Sequence, residues 1–258
     1  MIQETLTQQI EYATHTISAA HNVTVFTGAG VSTDSGIPDF RNPESGLWKD
    51  VDPMAVASIF GFKQNPQAFY DWIHPLAKTT MNAQPNAGHY AIVELETLGY
   101  VHSVITQNID MLHTRAGSKL VYELHGHMRE ATCIRCFKKF PAKQILEQFI
   151  EDGRAPYCPD GCGGILKPDV ILFGEQLPVC EFQAAQKAAR ACDLMIIVGS
   201  SLEVAPAGDL PILASRTGAK LIIVNLEPTP ADKLADIVIH GRAAEILPRM
   251  ARQLERIS

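Results

Sequence analysis

Apolar residues along this chain follow two alternating rhythms. Short runs rich in apolar residues at 23–27, 101–106, 120–124, 194–198, 220–224 and 237–239 have the length and β-branched content of buried strands. Between them, apolar positions recur every three or four residues. Ile2, Leu6, Ile10, Ala13, Ile17 and Ala20 mark one face of a helix over 2–21. His89, Ile92, Leu95 and Leu98 do the same over 86–98, where Gly99 stops the helix. Shorter helices are expected over 111–115, 181–191 and 207–216, and a closing one over 243–257 with Leu247, Met250 and Leu254 inward. Strands alternating with helices predict an α/β fold on a parallel, doubly wound sheet. Residues 54–80 differ. There, short helices broken at Gly61, Pro66 and Pro75 carry Phe60, Phe62, Phe69, Tyr70 and Trp72, which either pack a small helical layer or wall a cleft.

Composition narrows the class. A length of 258 residues accommodates one large domain, or one domain with a smaller insert, and 46% hydrophobic content is that of a globular protein with a real core. A formal charge of -6 argues against a protein that coats nucleic acid and fits a basic peptide as substrate. Glu4 and Glu11 interrupt the N-terminal segment, so it does not read as a signal peptide, and no apolar run is long enough to span a membrane. The expectation is a cytoplasmic protein with no membrane contact. In a reducing compartment, paired cysteines point to metal or redox chemistry before disulfides.

Cys133-x-x-Cys136 and Cys158-x-x-x-Cys162 carry the most specific spacing. Two such hairpins set four thiolates tetrahedrally, as structural Zn²⁺ requires, and leave no open coordination position. Two redox pairs or unconnected buried thiols are the alternatives. Cys180 and Cys192 lack partners, and Cys192 reads as a small core hydrophobe.

A second cluster follows the first strand: Gly28-Ala29-Gly30, then Thr33, Gly36, Ile37, Pro38, Asp39, Phe40 and Arg41. Glycines there would let bare backbone N–H groups approach a phosphate, although the spacing departs from the dinucleotide fingerprint G-x-G-x-x-G. Other polar groups arrive at strand ends: Gln107-Asn108-Ile109-Asp110, Gly199-Ser200-Ser201, and Asn225 with Glu227. In parallel sheets the carboxyl ends of strands share one crevice. Capping and turn formation account for any one of these residues, less well for all together. Among nine histidines, His113, His125 and His127 are candidates for a general base, and spacing alone does not separate them.

Taken together, GAGVSTDSGIPDFR, TQNID, ELHGH, the paired cysteines, PDVILFGE, GSSLEV and IVNLE resemble the sirtuin family of NAD-dependent protein-lysine deacylases, in its compact form, over essentially the whole chain. The resemblance implies a Rossmann-like NAD-binding domain over 1–41, 85–125 and 171–258. A smaller domain would combine a helical module over 42–84 with a zinc-binding module over 126–170. It places Gly28, Ala29, Gly30, Thr33, Phe40 and Arg41 in the cofactor loop, and Ile37, Asp39, Gln107, Asn108, Ile109 and Asp110 around the nicotinamide and its ribose. Gly199, Ser200, Ser201, Asn225 and Glu227 would hold the adenosine half, with Arg242 and Ala243 near adenine. His125 takes the general-base role beside the catalytic Asn108 and Asp110. Val170, Phe173, Gly174, Glu175, Leu202 and Val204 would line a groove into which an acetyl-lysine peptide adds as a strand. The implied products are free lysine, nicotinamide and O-acetyl-ADP-ribose.

Two departures bear on this. Val31 stands where isoleucine is more usual. Members that prefer succinyl- or malonyl-lysine pair a Tyr with an Arg three residues on, whereas Tyr70 is followed at that spacing by Ile73. An apolar residue cannot pair a buried carboxylate, so acetyl or longer neutral acyl groups are expected. Mono-ADP-ribosyl transfer and a zinc-containing NAD sensor or adaptor are the alternative functions. A dehydrogenase is disfavoured by the glycine spacing and the four cysteines.

Overall fold

Every residue of the run 23–27 is buried, because the strand it forms lies inside a sheet covered on both faces. The structure, a computed structural model, describes residues 5–39 and 52–257. Its strands in chain order are β1 (Val23–Thr27), β2 (Val101–Thr106), β3 (Val121–Glu123), β4 (Gly126–Cys133), β5 (Lys139–Pro141), β6 (Leu166–Val170), β7 (Leu194–Val198), β8 (Lys220–Asn225) and β9 (Ile237–His240). The helices are α1 (Leu6–Ser18), α2 (Pro53–Val56), α3 (Ile59–Gln64), α4 (Pro66–Asn82), α5 (Ala87–Thr97), α6 (Leu112–Ala116), α7 (Ala142–Asp152), α8 (Val179–Ala191), α9 (Leu210–Arg216) and α10 (Ala243–Glu255).

The larger sheet has the order β3-β2-β1-β7-β8-β9 and every pairing is parallel. Val25 sits beside Val104 on one side and Ile196 on the other. Alternate residues of these strands feed two cores. Val25, Val104, Ile196 and Ile222 pack under α1, α5 and α10, while Phe26, Ile105, Ile197 and Ile223 pack under α8 and α9. The order reverses between β1 and β7, so the switch point where such sheets bind ligands lies at the carboxyl ends of these two strands.

The smaller sheet, β5-β4-β6, is antiparallel. Its core joins Met128, Ala131 and Leu166 to Phe62, Phe69, Tyr70 and Ile73 of the helical segment and to Leu146 and Phe149 of α7. Tyr70 and Phe149 meet edge-on at 4.9 Å, and Phe69 meets Phe62 and Tyr70 at 5.2 Å. Such contacts add about 1 kcal/mol each beyond burial. The Tyr70 hydroxyl donates to the Leu166 carbonyl at 2.6 Å, which ties α4 to β6.

The sequence pattern breaks a helix at Pro75, yet α4 runs through it. The buried stripe Phe69, Tyr70, Ile73, Ala77, Thr80 passes on both sides of the proline. Pro75 itself is exposed, so the acceptor it leaves without an N–H faces solvent. That pattern also assigns no element between the two cysteine pairs, where β5 and α7 stand. No helix among the described residues is long and apolar enough to cross a membrane.

One pair of core histidines carries a pH prediction. His89 and His113 are buried with ring centroids 4.8 Å apart. Asn86 N–H donates to His89 Nδ1, and His113 Nε2 lies 2.9 Å from Thr27 Oγ1; the remaining nitrogen of each ring has no protein partner. Burial holds His89 down to about 4 and His113 to about 3, the neighbouring ring adding to the latter. Both are neutral when folded and take protons more readily when unfolded. The stability they permit is therefore complete above about pH 6.5 and drains as the pH falls towards 4, by roughly 3 kcal/mol for His89. Denaturant titrations at pH 7.5 and 4.5 should show this loss, and His89→Phe should reduce it.

Candidate functional site

Two turns interlock at the switch point. Gly28 N–H donates to Val198 O at 3.1 Å and Gly30 N–H to Gly199 O at 2.9 Å. A Cβ at Gly199 would lie 2.3 Å from Val31 N, and one at Gly30 would lie 2.8 Å from the Gly199 Cα. Gly199 also has φ +58, which a side chain rarely adopts. These glycines therefore bring two backbones into contact, and the N–H groups of Gly28 and Gly30 are spent on protein carbonyls. The expectation that they stand free for a phosphate is corrected accordingly. Thr33 Oγ1 donates back to Gly30 O at 3.1 Å and shapes the loop.

The segment after β2 forms a buried polar floor beside these turns. Asn108 Nδ2 donates to Gly28 O at 3.1 Å and to Ser32 Oγ at 3.2 Å, while Ser32 Oγ donates to Asp110 Oδ2 at 2.7 Å. Leu112 N–H donates to Asp110 Oδ1 at 2.9 Å. Burial pushes the Asp110 carboxyl above the usual range against these two donors. Sequence reasoning misses Ser32; its hydroxyl lies within the GAGVS run but is distinguished only by the contact with Asp110 across the loop.

His125 stands between β3 and β4, where the chain leaves the larger sheet for the smaller. Its Nδ1 is 2.9 Å from Gln107 O. A carbonyl only accepts, so Nδ1 carries the hydrogen and Nε2 is left with the lone pair. Burial lowers the His125 pKa, and the Gln107 carbonyl partly opposes this, so the neutral ring prevails at neutral pH. Gln107 Nε2 in turn donates to Ser200 Oγ at 2.9 Å, which links the β2 and β7 ends. Of the other two histidine candidates, His113 is sealed in the core and His127 is not among the residues lining the cleft.

A cleft of about 1300 Å³ runs over these groups. Gly28, Ala29, Gly30, Thr33, Asp39, Gln107, Asn108, Ile109 and His125 line one part of it, and Gly199, Ser200, Ser201, Asn225, Glu227, Arg242 and Ala243 another. Val170, Phe173, Gly174, Glu175 and Val204 line its far side. Ile37 and Asp110 instead border a side pocket of about 30 Å³ with Ser32, Leu76 and Met128. Leu202 packs against the α8–α9 core and does not line the cleft. Phe40 and Arg41 lie outside the described residues.

Several side chains arrive with assignments of their own. Glu175 Oε2 accepts from Leu172 N–H at 2.8 Å and pairs with Lys167 Nζ at 3.0 Å, so its carboxylate braces a loop. Arg242 forks onto Asp34. Phe173 pairs with Ala57 and Ile59 through two backbone bonds, at 2.9 and 3.0 Å. Sequence reasoning also misses Leu76 as a site residue, together with the α8 residues Phe182, Gln183 and Gln186, all of which line the cleft. Of the aromatics over 54–80, Phe62 and Tyr70 are core, Phe60 is exposed, and Phe69 and Trp72 reach the cleft.

At the far end of the smaller sheet, the sulfurs of Cys133, Cys136, Cys158 and Cys162 lie within 4.8 Å of one another. Two of the separations are 3.5 Å (Cys133–Cys162) and 3.7 Å (Cys136–Cys158). Zn–S bonds of about 2.3 Å require tetrahedral edges of about 3.8 Å, so the cluster fits Zn²⁺. N–H groups of Arg135, Cys136 and Gly164 point at these sulfurs at 3.4–3.5 Å, as thiolates require. Four sulfurs would fill a tetrahedral ion's positions and the cluster does not line the cleft, so a metal held there would be structural.

A parallel sheet with strand order 3-2-1-4-5-6, a polar floor at its switch point and a four-thiolate module define a nucleotide-binding α/β protein with a structural metal site. Residues 28–206 match the Sir2 family. The NAD-dependent protein deacylase 2 of Archaeoglobus fulgidus is 47% identical over 96% of this chain and 97% of its own. A solved Sir2 enzyme superposes with a TM-score of 0.91 at 46% identity, covering 97% of this chain and 99% of that one. A Sir2 structure with a p53 peptide and NAD+ superposes with a TM-score of 0.84 at 37% identity, over 96% and 99% of the two chains. The chain belongs to the Sir2 family, the sirtuins.

Proposed function

We infer that this chain is an NAD-dependent protein-lysine deacetylase, which moves the acetyl group of acetyl-lysine to ADP-ribose and releases nicotinamide. The observation that carries this reading is His125. It is a neutral imidazole with Nδ1 committed to Gln107 O, set in the wall of one cleft between the switch-point floor and the Phe173–Glu175 segment. NAD supplies a glycosidic bond to nicotinamide whose cleavage exposes an electrophilic ribose carbon. On this reading Ala29, Thr33, Ser200, Ser201, Asn225 and Glu227 bind the nucleotide. The Ser32–Asn108–Asp110 network, with Ile37 and Asp39, receives the nicotinamide end.

The acyl-lysine enters between Val170, Phe173 and Gly174 on one side and Val204 on the other, and its amide oxygen attacks the ribose carbon. His125 Nε2 then accepts the proton of a ribose hydroxyl, whose oxygen attacks the acyl carbon; the lysine amine leaves with a proton and one water adds, giving O-acetyl-ADP-ribose. The apolar walls Ile109, Trp72 and Ile73 keep water from reaching the ribose carbon first, which would merely hydrolyse NAD. The two bodies that close on the substrates are residues 1–41, 85–125 and 171–258, and residues 42–84 with 126–170. A reducing, cytoplasmic location suits the four thiolates.

The test is turnover of an acetyl-lysine peptide with and without NAD, following nicotinamide release and product mass. Strict NAD dependence and O-acetyl-ADP-ribose are expected, whereas protein-linked ADP-ribose or NAD-independent release would overturn the reading. Ile73 borders the cleft where an acyl carboxylate would need a cation. Succinyl-peptide turnover should accordingly be at least tenfold below acetyl-peptide turnover, since an unpaired buried carboxylate costs more than about 1.4 kcal/mol.

A further inference from the structure

The chain passes between its two sheets beside His125, and each passage is spanned by an ion pair. Only Leu124 and His125 separate β3 of the parallel sheet from β4 of the antiparallel one. The returning strand β6 crosses next to them: Gly126 is paired with Val170, and Ile171 N–H donates to His125 O at 2.9 Å. The approach is close enough that a Cβ on Gly126 would lie 2.0 Å from Asp169 O. Over the first passage, Arg129 Nη1 donates to Glu123 Oε1 at 2.8 Å and Nη2 donates to Glu123 Oε2. Across the second, Lys167 Nζ pairs with Glu175 Oε2 at 3.0 Å while donating to Val170 O at 2.7 Å. In each pair one partner belongs to the small sheet and the other lies on the far side of the passage.

His125 is held from both sides of this junction. Its ring is bonded to Gln107 O at the end of β2, and its backbone carbonyl accepts from Ile171 in the returning strand. A slip between the two sheets strains one of these bonds and moves Nε2. Glu123 is anchored to the larger sheet by its register with Thr106, and its side chain is only 10% exposed, so its carboxylate needs a partner. A guanidinium gripping both oxygens fixes an orientation as well as a charge, which an ammonium does not. Displacement of a base by about 1 Å costs about a hundredfold in rate.

We propose that Arg129, through its fork onto Glu123, is a positioning residue for His125, with the Lys167–Glu175 pair as its counterpart on the returning strand. This rests on the deacetylase reading. The domain junction thereby acquires a chemical role, because the angle between the sheets sets where the base nitrogen stands.

The order of steps supplies the test, because nicotinamide leaves before His125 acts. In Arg129→Met, the rate of deacetylated peptide formation should fall about tenfold to a hundredfold. Exchange of labelled nicotinamide into NAD, and the KM values for NAD and peptide, should stay within about twofold, the pattern of a perturbed His125. Arg129→Lys restores a charge without the fork and should show the same split at smaller size; it carries the test if Arg129→Met does not fold. Exchange and deacetylation falling together in the folded variant would mark a general structural effect and overturn the proposal, as would unchanged turnover. Absence of NAD-dependent deacetylation in the unaltered protein would instead overturn the deacetylase reading itself.

Discussion

Replacing His125 with alanine should lower acetyl-lysine peptide turnover by about 10²- to 10⁴-fold, the usual contribution of a positioned general base. The fold should persist, because His125 is a half-buried wall of a cleft and both sheets keep their own cores. Labelled-nicotinamide exchange into NAD should also persist, since that step precedes the proton transfer. The pH profile adds a second reading of the same residue. Burial holds the His125 pKa below its ordinary value, so the basic form is present across neutral pH and the acid limb of kcat/KM should lie below about pH 6.5. Retained turnover in His125→Ala, or an acid limb above neutrality, would remove it from the mechanism.

Removing the metal should have a larger effect on a different quantity. Structural Zn²⁺ sites contribute about 10 kcal/mol or more of apparent binding free energy that the apo chain does not recover. Cys133 joins β4 directly to the cluster and lies in the core with Leu166 and Phe149. Cys133→Ala, or strong chelation, should therefore melt the β5-β4-β6 module with loss of bound metal. The chain should keep the circular dichroism of the larger α/β layer and lose turnover only because the module that carries Val170 is gone. A metal-free Cys133→Ala protein that is folded and active would overturn the structural assignment.

How much of this is legible in the sequence follows from how local each signal is. The strand at 23–27 can be read because a central parallel strand is buried on both faces, which leaves a short β-branched run with no charge in it. The four cysteines can be read because zinc dictates their spacing. Pro75 cannot, since the contacts that carry α4 through it come from Met128, Leu146 and Leu166, far away in sequence. Gly28 and Gly30 are visible as glycines, but their partner Gly199 lies across the sheet, so the bonds that their N–H groups make there are not. Ser32 and Leu76 escape notice for the same reason: a serine among small residues and a leucine on a helix gain meaning only from what faces them. His125 is separated from His113 and His127 by family resemblance rather than by spacing. The structure adds physical grounds in a sealed ring, a ring outside the cleft and a ring at its edge.

The contact between the Gly28–Gly30 turn and Gly199 also constrains the order in which the molecule can come into being. The two halves of the floor are the ends of β1, at residues 23–27, and of β7, which follows only after the whole of the smaller sheet. A nascent or partly folded chain lacking β7 has half a floor and nothing for a nucleotide to rest on. Dinucleotide binding thus becomes a report on the docking of β7 against β1. Ligand added during refolding should leave the early phases unchanged and act solely on the last, by holding the finished sheet against reopening.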